Sequence, residues 1–150
     1  MFFILLLVEL TLTETPESMI KQCYNYFNET IYSEVSDHIT ALAVLESGWF
    51  RGNKVHKKFN NYFGMNEAII ERRHHRCRKR PIYCLKQFES FEDSLKYMLV
   101  YFERNNYPTD PKGFLDRLNG VGGLKYAKDP KHVQKVIRVR QTLHRKGFFK

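Results

Sequence analysis

The sequence predicts an α+β fold that is mostly α-helical, in which a helical body carries one small β-hairpin lobe. Apolar residues recur every three or four positions in several segments, and most of these segments begin with a capping residue. Between residues 52 and 88 this periodicity stops, and short apolar or aromatic runs alternate with turn residues. The 150 residues fit one compact core, so we expect a single domain over residues 1–150.

The N-terminal residues 1–14 form an apolar segment in which Phe2 to Val8 are all apolar. A membrane-spanning helix needs roughly 20 such residues, so no transmembrane span is predicted. The segment also lacks the basic start and small-residue cleavage site of an export signal. We expect a strand or helix packed on the domain. A degenerate export signal and a weak membrane-touching tail are the alternatives.

Two helices are predicted before residue 52. Thr15-Pro16-Glu17 has the hydroxyl cap and first-turn proline of a helix start. A second helix begins near Ser33 or Ser36 and is apolar on nearly every face, so we expect it to run through the centre of the protein. The inward stripes of the two helices are Met19, Ile20, Cys23 and Phe27, and then Val35, Ile39, Leu42 and Ala43.

The lobe over residues 52–88 is predicted from two short strand-like runs, residues 68–70 and 82–85. They flank the basic run Arg72–Arg80, and aromatic and turn residues over 59–66 precede them.

Three further helices are predicted after the lobe. Ser90-Phe91-Glu92-Asp93 resembles a capping box, and the aspartate–proline pairs at 110–111 and 129–130 each open a helix. The expected inward residues are Phe91, Leu95, Met98, Leu99 and Phe102, then Phe114, Leu115 and Leu118, and finally Val133, Val136, Ile137 and Leu143.

The charge balance predicts an anionic partner. There are 25 Lys and Arg residues against 16 Asp and Glu residues, a formal net charge of +9. A basic surface attracts nucleic acid, an anionic membrane or anionic cell-wall polymers, and charge alone does not choose among them. Arg72–Arg80 with its two histidines is the densest patch. Attraction of anionic cell-wall polymers is one interpretation of this run, and a solvated hairpin tip is the alternative.

The cysteine spacing leaves two interpretations open. Cys77 and Cys84 flank a turn containing Pro81, so the pair fits either a disulfide across the hairpin or two free thiols. Cys23 is the third cysteine and would remain unpaired in the first case. His74, His75, Cys77 and Cys84 match no common zinc spacing, so neither a metal nor another cofactor is predicted.

Glu46 ends the central apolar helix, where six of the seven preceding residues are apolar and Gly48 and Trp49 follow. Burial without a cation raises the pKa of a carboxyl group, which suits a general acid in glycoside hydrolysis. Trp49 offers a flat face on which a sugar ring can stack. The alternative is a structural glutamate that is salt-bridged, snorkelling or capping a helix.

Four motifs, in this order, resemble a known family. They are ALAVLESGWF at residues 41–50, NNYFGM at 60–65, QFESFEDSLKYML at 87–99 and LKYAKDPKHVQKVI at 124–137. The chain resembles the glucosaminidase family of peptidoglycan hydrolases, glycoside hydrolase family 73, from about Ile39 to Leu143.

The resemblance implies a lysozyme-like fold and cleavage of β-1,4 bonds next to N-acetylglucosamine. It makes Glu46 the catalytic acid and Tyr126 an active-site tyrosine; a core tyrosine is the alternative for Tyr126. Family members often have a second acid within a Thr-Glu pair of the hairpin lobe. The lobe of this chain has no such pair, and Glu71 is our choice over Glu67, with an ion pair to the neighbouring arginines as the alternative for either residue. His132 stands where the family often has an aromatic residue. The expected substrate-binding residues are Trp49, Asn61, Tyr62, Phe63 and Gly64.

Other functions remain open at this point. A lytic transglycosylase or a muramidase shares the fold, although NNYFG argues against the former. A virion structural protein and a nucleic-acid-binding basic domain are alternatives without turnover. If the chain is the glucosaminidase, it acts on the cell wall outside the cytoplasm, as a virion-associated enzyme, a released phage lysin or a secreted protein.

Overall fold

The computed structural model describes residues 14–51, 58–65 and 85–149, and these residues are mostly helical, as predicted. The helices in chain order are α1 (Pro16–Asn28), α2 (Ser36–Glu46), α3 (Phe91–Arg104), α4 (Pro111–Leu118) and α5 (His132–Arg145). A short 3₁₀ helix, Ser33–Val35, leads directly into α2.

Three of the predicted helix starts are confirmed by their caps. The Thr15 hydroxyl accepts a hydrogen bond from the Ser18 amide in a reciprocal capping box at α1. Ser90 caps α3, and Asp110 caps α4 ahead of a first-turn proline. Each cap satisfies an amide that the first helical turn leaves unpaired, a contribution of about 1 kcal/mol.

Helix α2 is the central helix that its composition predicts. Its residues from His38 to Val44 are all buried, and α2 packs against both α1 and α5. Asp37 near its start contacts Arg140, while Glu46 at its end contacts His132, so α2 and α5 run in opposite directions. Truncating a fully buried residue such as Leu42 to alanine costs about 2–5 kcal/mol.

A cluster of aromatic rings joins α1, α3 and α4. Phe102 of α3 lies at its centre, and its ring centroid is between 5.0 and 6.2 Å from those of four aromatic neighbours outside α3. These neighbours are Phe27, Tyr32, Tyr107 and Phe114. Cys23 is a free thiol on the same core face of α1, and burial raises its pKa to about 12.

Helix α5 begins two residues later than the predicted start at Asp129-Pro130. The Asp129 carboxylate accepts a hydrogen bond from the Lys131 amide, and its carbonyl accepts one from the His132 amide. Asp129 therefore forms the turn that leads into the helix. Val136 and Leu143 are buried as expected, whereas Val133 and Ile137 are only partly buried.

The predicted β-hairpin is not shown. In the part of the chain that the structure describes there is no strand, only a single bridge residue at Leu85. Glu67, Glu71, Arg72–Arg80, Cys77 and Cys84 lie outside the described residues, as does the apolar segment up to residue 13. The two ends of the lobe do meet, because the amides of Lys86 and Phe88 donate to the carbonyls of Met65 and Phe59.

None of the described helices combines the length and the apolar character that crossing a membrane requires.

Candidate active site

The chain turns sharply where α2 ends at Glu46. The Gly48 amide donates to the Leu45 carbonyl at 3.3 Å and the Trp49 amide to the Val44 carbonyl at 2.8 Å, the pattern of a Schellman motif. Gly48 supplies the positive φ of +60° that this motif requires. The turn leaves the Glu46 side chain 25% exposed at the edge of the core.

Trp49 and Phe50 continue the turn with φ angles of 64° and 54°, which are uncommon for residues with bulky side chains. Two contacts hold this backbone: the Phe50 amide donates to the Ser47 hydroxyl, and the Phe50 ring is buried against Phe91. Trp49 stays partly exposed, with the Lys146 ammonium 5.6 Å from its ring centroid. A cation over the ring is a favourable contact, so this face of Trp49 already has a neighbour.

Asn61 ties the two ends of the lobe together. Its side-chain amide donates to the carbonyls of Met65 and Lys86 at 2.7 Å each, and its side-chain oxygen accepts from the Met65 amide at 2.9 Å. The Tyr62 and Phe63 side chains pack inward, 5% and 1% exposed. Binding of substrate by Asn61, Tyr62 and Phe63 stays a prediction, and their described contacts fix the backbone beside Glu46.

Gly64 lies directly against the carboxyl group of Glu46. A Cβ atom at position 64 would stand 3.2 Å from Glu46 Oε2, and the φ angle of +66° there also favours glycine. Because Gly64 has no side chain, nothing at position 64 crowds Glu46 Oε2.

Tyr126, in the loop before α5, lies beside the backbone of residues 63–65 and close to Glu46. Its hydroxyl donates to the Phe63 carbonyl at 2.7 Å, and it lies 3.6 Å from the Met65 sulfur. Burial, together with the negative charge of Glu46, raises the pKa of Tyr126 well above its ordinary value. The hydroxyl therefore remains a hydrogen-bond donor at any physiological pH.

His132, the first residue of α5, is a partner of Glu46 that the sequence reasoning passed over. Its Nε2 lies 2.6 Å from Glu46 Oε1, and its ring stacks on Tyr126 with centroids 5.7 Å apart and planes at 21°. The sequence argument considered burial of this carboxyl group without a cation, and the structure places an ionisable ring beside it. The available signal was an ionisable residue at a position where the resembled family often has an aromatic one.

The described residues thus bring together Glu46, Gly64, Tyr126 and His132, three of which the sequence singled out as site residues. No group of three or more His, Cys, Asp or Glu side chains in the described ranges is arranged to hold a metal ion. The predicted second acid, Glu71, lies outside those ranges. What the site offers chemically is one partly exposed carboxyl group held between a histidine and a glycine, next to a tyrosine.

A helical body with such a carboxyl group at its edge fits a glycoside hydrolase, and comparison with known families agrees. The glucosaminidase family model, described as mannosyl-glycoprotein endo-beta-N-acetylglucosaminidase, matches residues 28–145. The chain therefore belongs to the glucosaminidase family and is a glycoside hydrolase. No curated protein and no solved structure matches it significantly.

Proposed function

We propose that the chain hydrolyses the β-1,4 glycan backbone of peptidoglycan as an endo-β-N-acetylglucosaminidase, with Glu46 as general acid. The observation that carries this proposal is the position of the Glu46 carboxyl group. It sits at the end of the buried helix α2, is one-quarter exposed, and has Oε2 facing Gly64. A carboxyl group so placed reaches a bound glycan while the rigid helix holds it still.

In this mechanism Glu46 protonates the glycosidic oxygen as the sugar ring develops oxocarbenium character. Either a second carboxylate activates water, for which Glu71 is the candidate, or the acetamido group of the substrate assists from the opposite face. Family membership supports the glycosidase activity, and the motif at residues 60–65 together with Tyr126 supports the glucosaminidase specificity.

The experiment that tests the acid is the Glu46→Gln variant, assayed for release of reducing sugar from purified peptidoglycan. We expect activity to fall by about a hundredfold to ten-thousandfold, the usual contribution of a general acid. Glu103→Gln, an exposed glutamate at the end of α3, is the matched control and should keep full activity. An active Glu46→Gln variant would falsify the assignment.

The identity of the products tests the specificity. Hydrolysis by a glucosaminidase leaves N-acetylglucosamine at the new reducing end, a muramidase leaves the other sugar there, and a lytic transglycosylase leaves 1,6-anhydro ends. Mass spectrometry of the digested wall separates the three. The site of action in this proposal is the cell wall outside the cytoplasm.

The proposal also includes attraction to anionic groups of the wall. Residues 130–150 contain seven Lys and Arg residues and no Asp or Glu. Lys131 stands at the start of α5, where a cation opposes the helix dipole, so helix stability does not explain it. Lys135, one turn further on, is paired with Asp129. Lys131, Lys135, Arg138 and Arg145 are exposed at intervals of four, three and seven residues, which places them on one side of α5. We refer to these four residues as the α5 basic stripe.

The composition of the stripe favours a wall polymer over the other polyanions. Gln134 and Gln141 are among its exposed neighbours, and none of its four members has an aromatic ring on which nucleic-acid bases stack. It also lacks the apolar face that inserts into a membrane. The stripe begins next to His132, whose ring contacts Glu46, so an anionic chain attached to the glycan reaches both.

A further inference from the structure

We infer that His132 is a positioning residue for the reaction. Its Nε2–H group donates a hydrogen bond to Glu46 Oε1 throughout the reaction, so the transferable proton is carried by Oε2 alone. This inference rests on the proposed role of Glu46 as the acid. It assigns the two oxygens of one carboxyl group to two different tasks.

The tautomer of His132 follows from its two ring nitrogens. Nε2 has an oxygen at 2.6 Å, whereas Nδ1 is buried with no hydrogen-bond partner. Nδ1 lacks a partner in every form of the ring, and the imidazolium would add a positive charge to that unpaired nitrogen. An ionised Glu46 carboxylate has only acceptor oxygens, so Nε2 must carry the hydrogen, and the neutral ring with its hydrogen on Nε2 is the form that fits both nitrogens.

The surroundings fix the ring in place. Its side chain is only 9% exposed, and it is stacked on the Tyr126 ring, whose hydroxyl is itself held by the Phe63 carbonyl. These contacts keep the Nε2–H pointed at Oε1, and this orientation leaves Oε2 on the side of Gly64.

The proton count balances through the reaction step. Before transfer, Oε2–H is the acid and Oε1 accepts from Nε2–H. The proton on Oε2 moves to the glycosidic oxygen as the bond from that oxygen to the anomeric carbon breaks, and Glu46 becomes a carboxylate. His132 keeps its hydrogen on Nε2 throughout. The same hydrogen bond therefore strengthens as negative charge develops on Glu46, without any change of tautomer.

Other ionisable groups face the pair and contribute to its pH dependence. In the described residues these are Tyr126 from the preceding loop and Asp129 in the turn before α5, whose carboxylate is itself paired with Lys135. Tyr101 of α3 contacts the edge of Tyr126. None of them changes in the variants below, so a shift in pH dependence is attributable to position 132.

Two substitutions separate the donor role of His132 from its packing role. His132→Phe keeps a ring against Tyr126 and removes the donor, while His132→Gln places an amide donor near the position of Nε2 and removes the ring. We expect His132→Phe to lower kcat by about tenfold to a hundredfold, the range for a hydrogen bond to a charged group, with KM little changed. His132→Gln should recover most of that loss.

The pH–rate profile gives a readout that a packing role would not move. A donor to the carboxylate favours its ionised form, so in His132→Phe the limb where the rate falls with rising pH should move to higher pH. Nitrogen-15 NMR of the folded wild-type enzyme should show a hydrogen on Nε2 and none on Nδ1. The reverse order of activities, an unmoved limb, or a protonated Nδ1 would each overturn the inference. The Glu46→Gln variant in the same assay separates a failure of this inference from a failure of the proposed function. An active Glu46→Gln variant would refute the role of Glu46 as general acid, whereas the outcomes above concern only His132.

Discussion

The hydroxyl of Tyr126 donates a hydrogen bond of 2.7 Å to the main-chain carbonyl of Phe63, which lies 63 positions earlier in the chain. This bond connects the loop before α5 with the turn that carries Gly64, the glycine beside Glu46 Oε2. Tyr126 thus acts on the site by placing the backbone that borders the acid. The tyrosine that the resemblance assigned to the active site therefore has a structural role there, which is to hold the backbone beside Glu46.

Tyr126→Phe should therefore lower kcat by about tenfold while the enzyme still folds. The variant leaves a buried carbonyl without its donor, which costs about 1–2 kcal/mol of the free energy of unfolding and lets the Gly64 turn shift. Chemical denaturation and the reducing-sugar assay measure the two effects. Tyr24→Phe, which alters a ring packed on Phe149, is the control and should leave kcat unchanged. Equal kcat in wild type and Tyr126→Phe would remove the link between this bond and catalysis.

Gly64→Ala should reduce activity through the position of the acid. The new methyl group would stand 3.2 Å from Glu46 Oε2, closer than ordinary packing, and the φ angle of +66° adds strain of about 1 kcal/mol or more. We expect kcat to fall by about tenfold or more, because a small displacement of a reacting group is costly.

Gly122→Ala is the matched control for Gly64→Ala. Gly122 has a comparable φ of +76°, and nothing lies within 4 Å of its added Cβ. Both variants should lose a similar free energy of unfolding, and only Gly64→Ala should lose kcat. Parallel losses of kcat in the two would show that backbone strain, and not contact with Glu46, is responsible.

Whether an interaction can be predicted from the sequence depends on how far apart its two residues are along the chain. The caps at Thr15, Ser90 and Asp110 act within three residues, so composition and spacing predict them. The burial of α2 and the place of Glu46 at its end follow from a local run of residues that is apolar on nearly every face of the helix. The contact between Glu46 and His132 spans 86 positions, and no local pattern specifies which residue of α5 will face a given residue of α2.

Asn61 illustrates the limit of reasoning from motifs. The resemblance predicted a substrate-binding residue, and the structure shows a side chain that is fully buried and bonded to two carbonyls 21 residues apart in sequence, those of Met65 and Lys86. A motif records that a residue type is needed at a position. Whether it contacts substrate or holds the backbone beside the substrate depends on tertiary packing, which the motif does not encode.

The α5 basic stripe should bind anionic wall polymers by charge alone. Converting Lys131, Arg138 and Arg145 to glutamine should weaken binding to purified walls by about tenfold at low salt, and wild-type binding should weaken as salt rises. Binding is measured by co-sedimentation with the Glu46→Gln background, so that turnover does not interfere. Walls with and without their phosphate polymers show which anionic group the stripe recognises.

The control for the stripe removes the same charge elsewhere. Lys21, Lys58 and Arg104 are exposed basic residues on other elements, and their triple glutamine variant should bind walls nearly as well as wild type. Equal weakening by both triple variants would mean that net charge, and not the stripe, attracts the wall. Tighter, stripe-dependent binding to duplex DNA or to anionic vesicles would contradict the choice of partner.

Asp37, at the opposite end of α2 from Glu46, should make the free energy of unfolding depend on pH. Burial alone would raise the pKa of its carboxyl group, but hydrogen bonds and charge from His38 and Arg140 outweigh burial and hold the pKa below its usual 3.8. A group whose pKa is depressed by folding contributes stability that is fully present above its unfolded pKa. That contribution is lost as pH falls from about 4–5 through the lower, folded pKa.

Asp37→Asn should therefore cost about 2 kcal/mol of the free energy of unfolding at pH 7, the scale of hydrogen bonds to a charged group, and progressively less as pH falls below about 4. Urea denaturation at several pH values measures this difference. Asp116→Asn, which breaks an exposed pair with Lys112, is the control and should cost at most about 0.5 kcal/mol. A loss for Asp37→Asn that stays constant from pH 7 down to pH 3 would show that the carboxylate charge is not what joins α2 to α5.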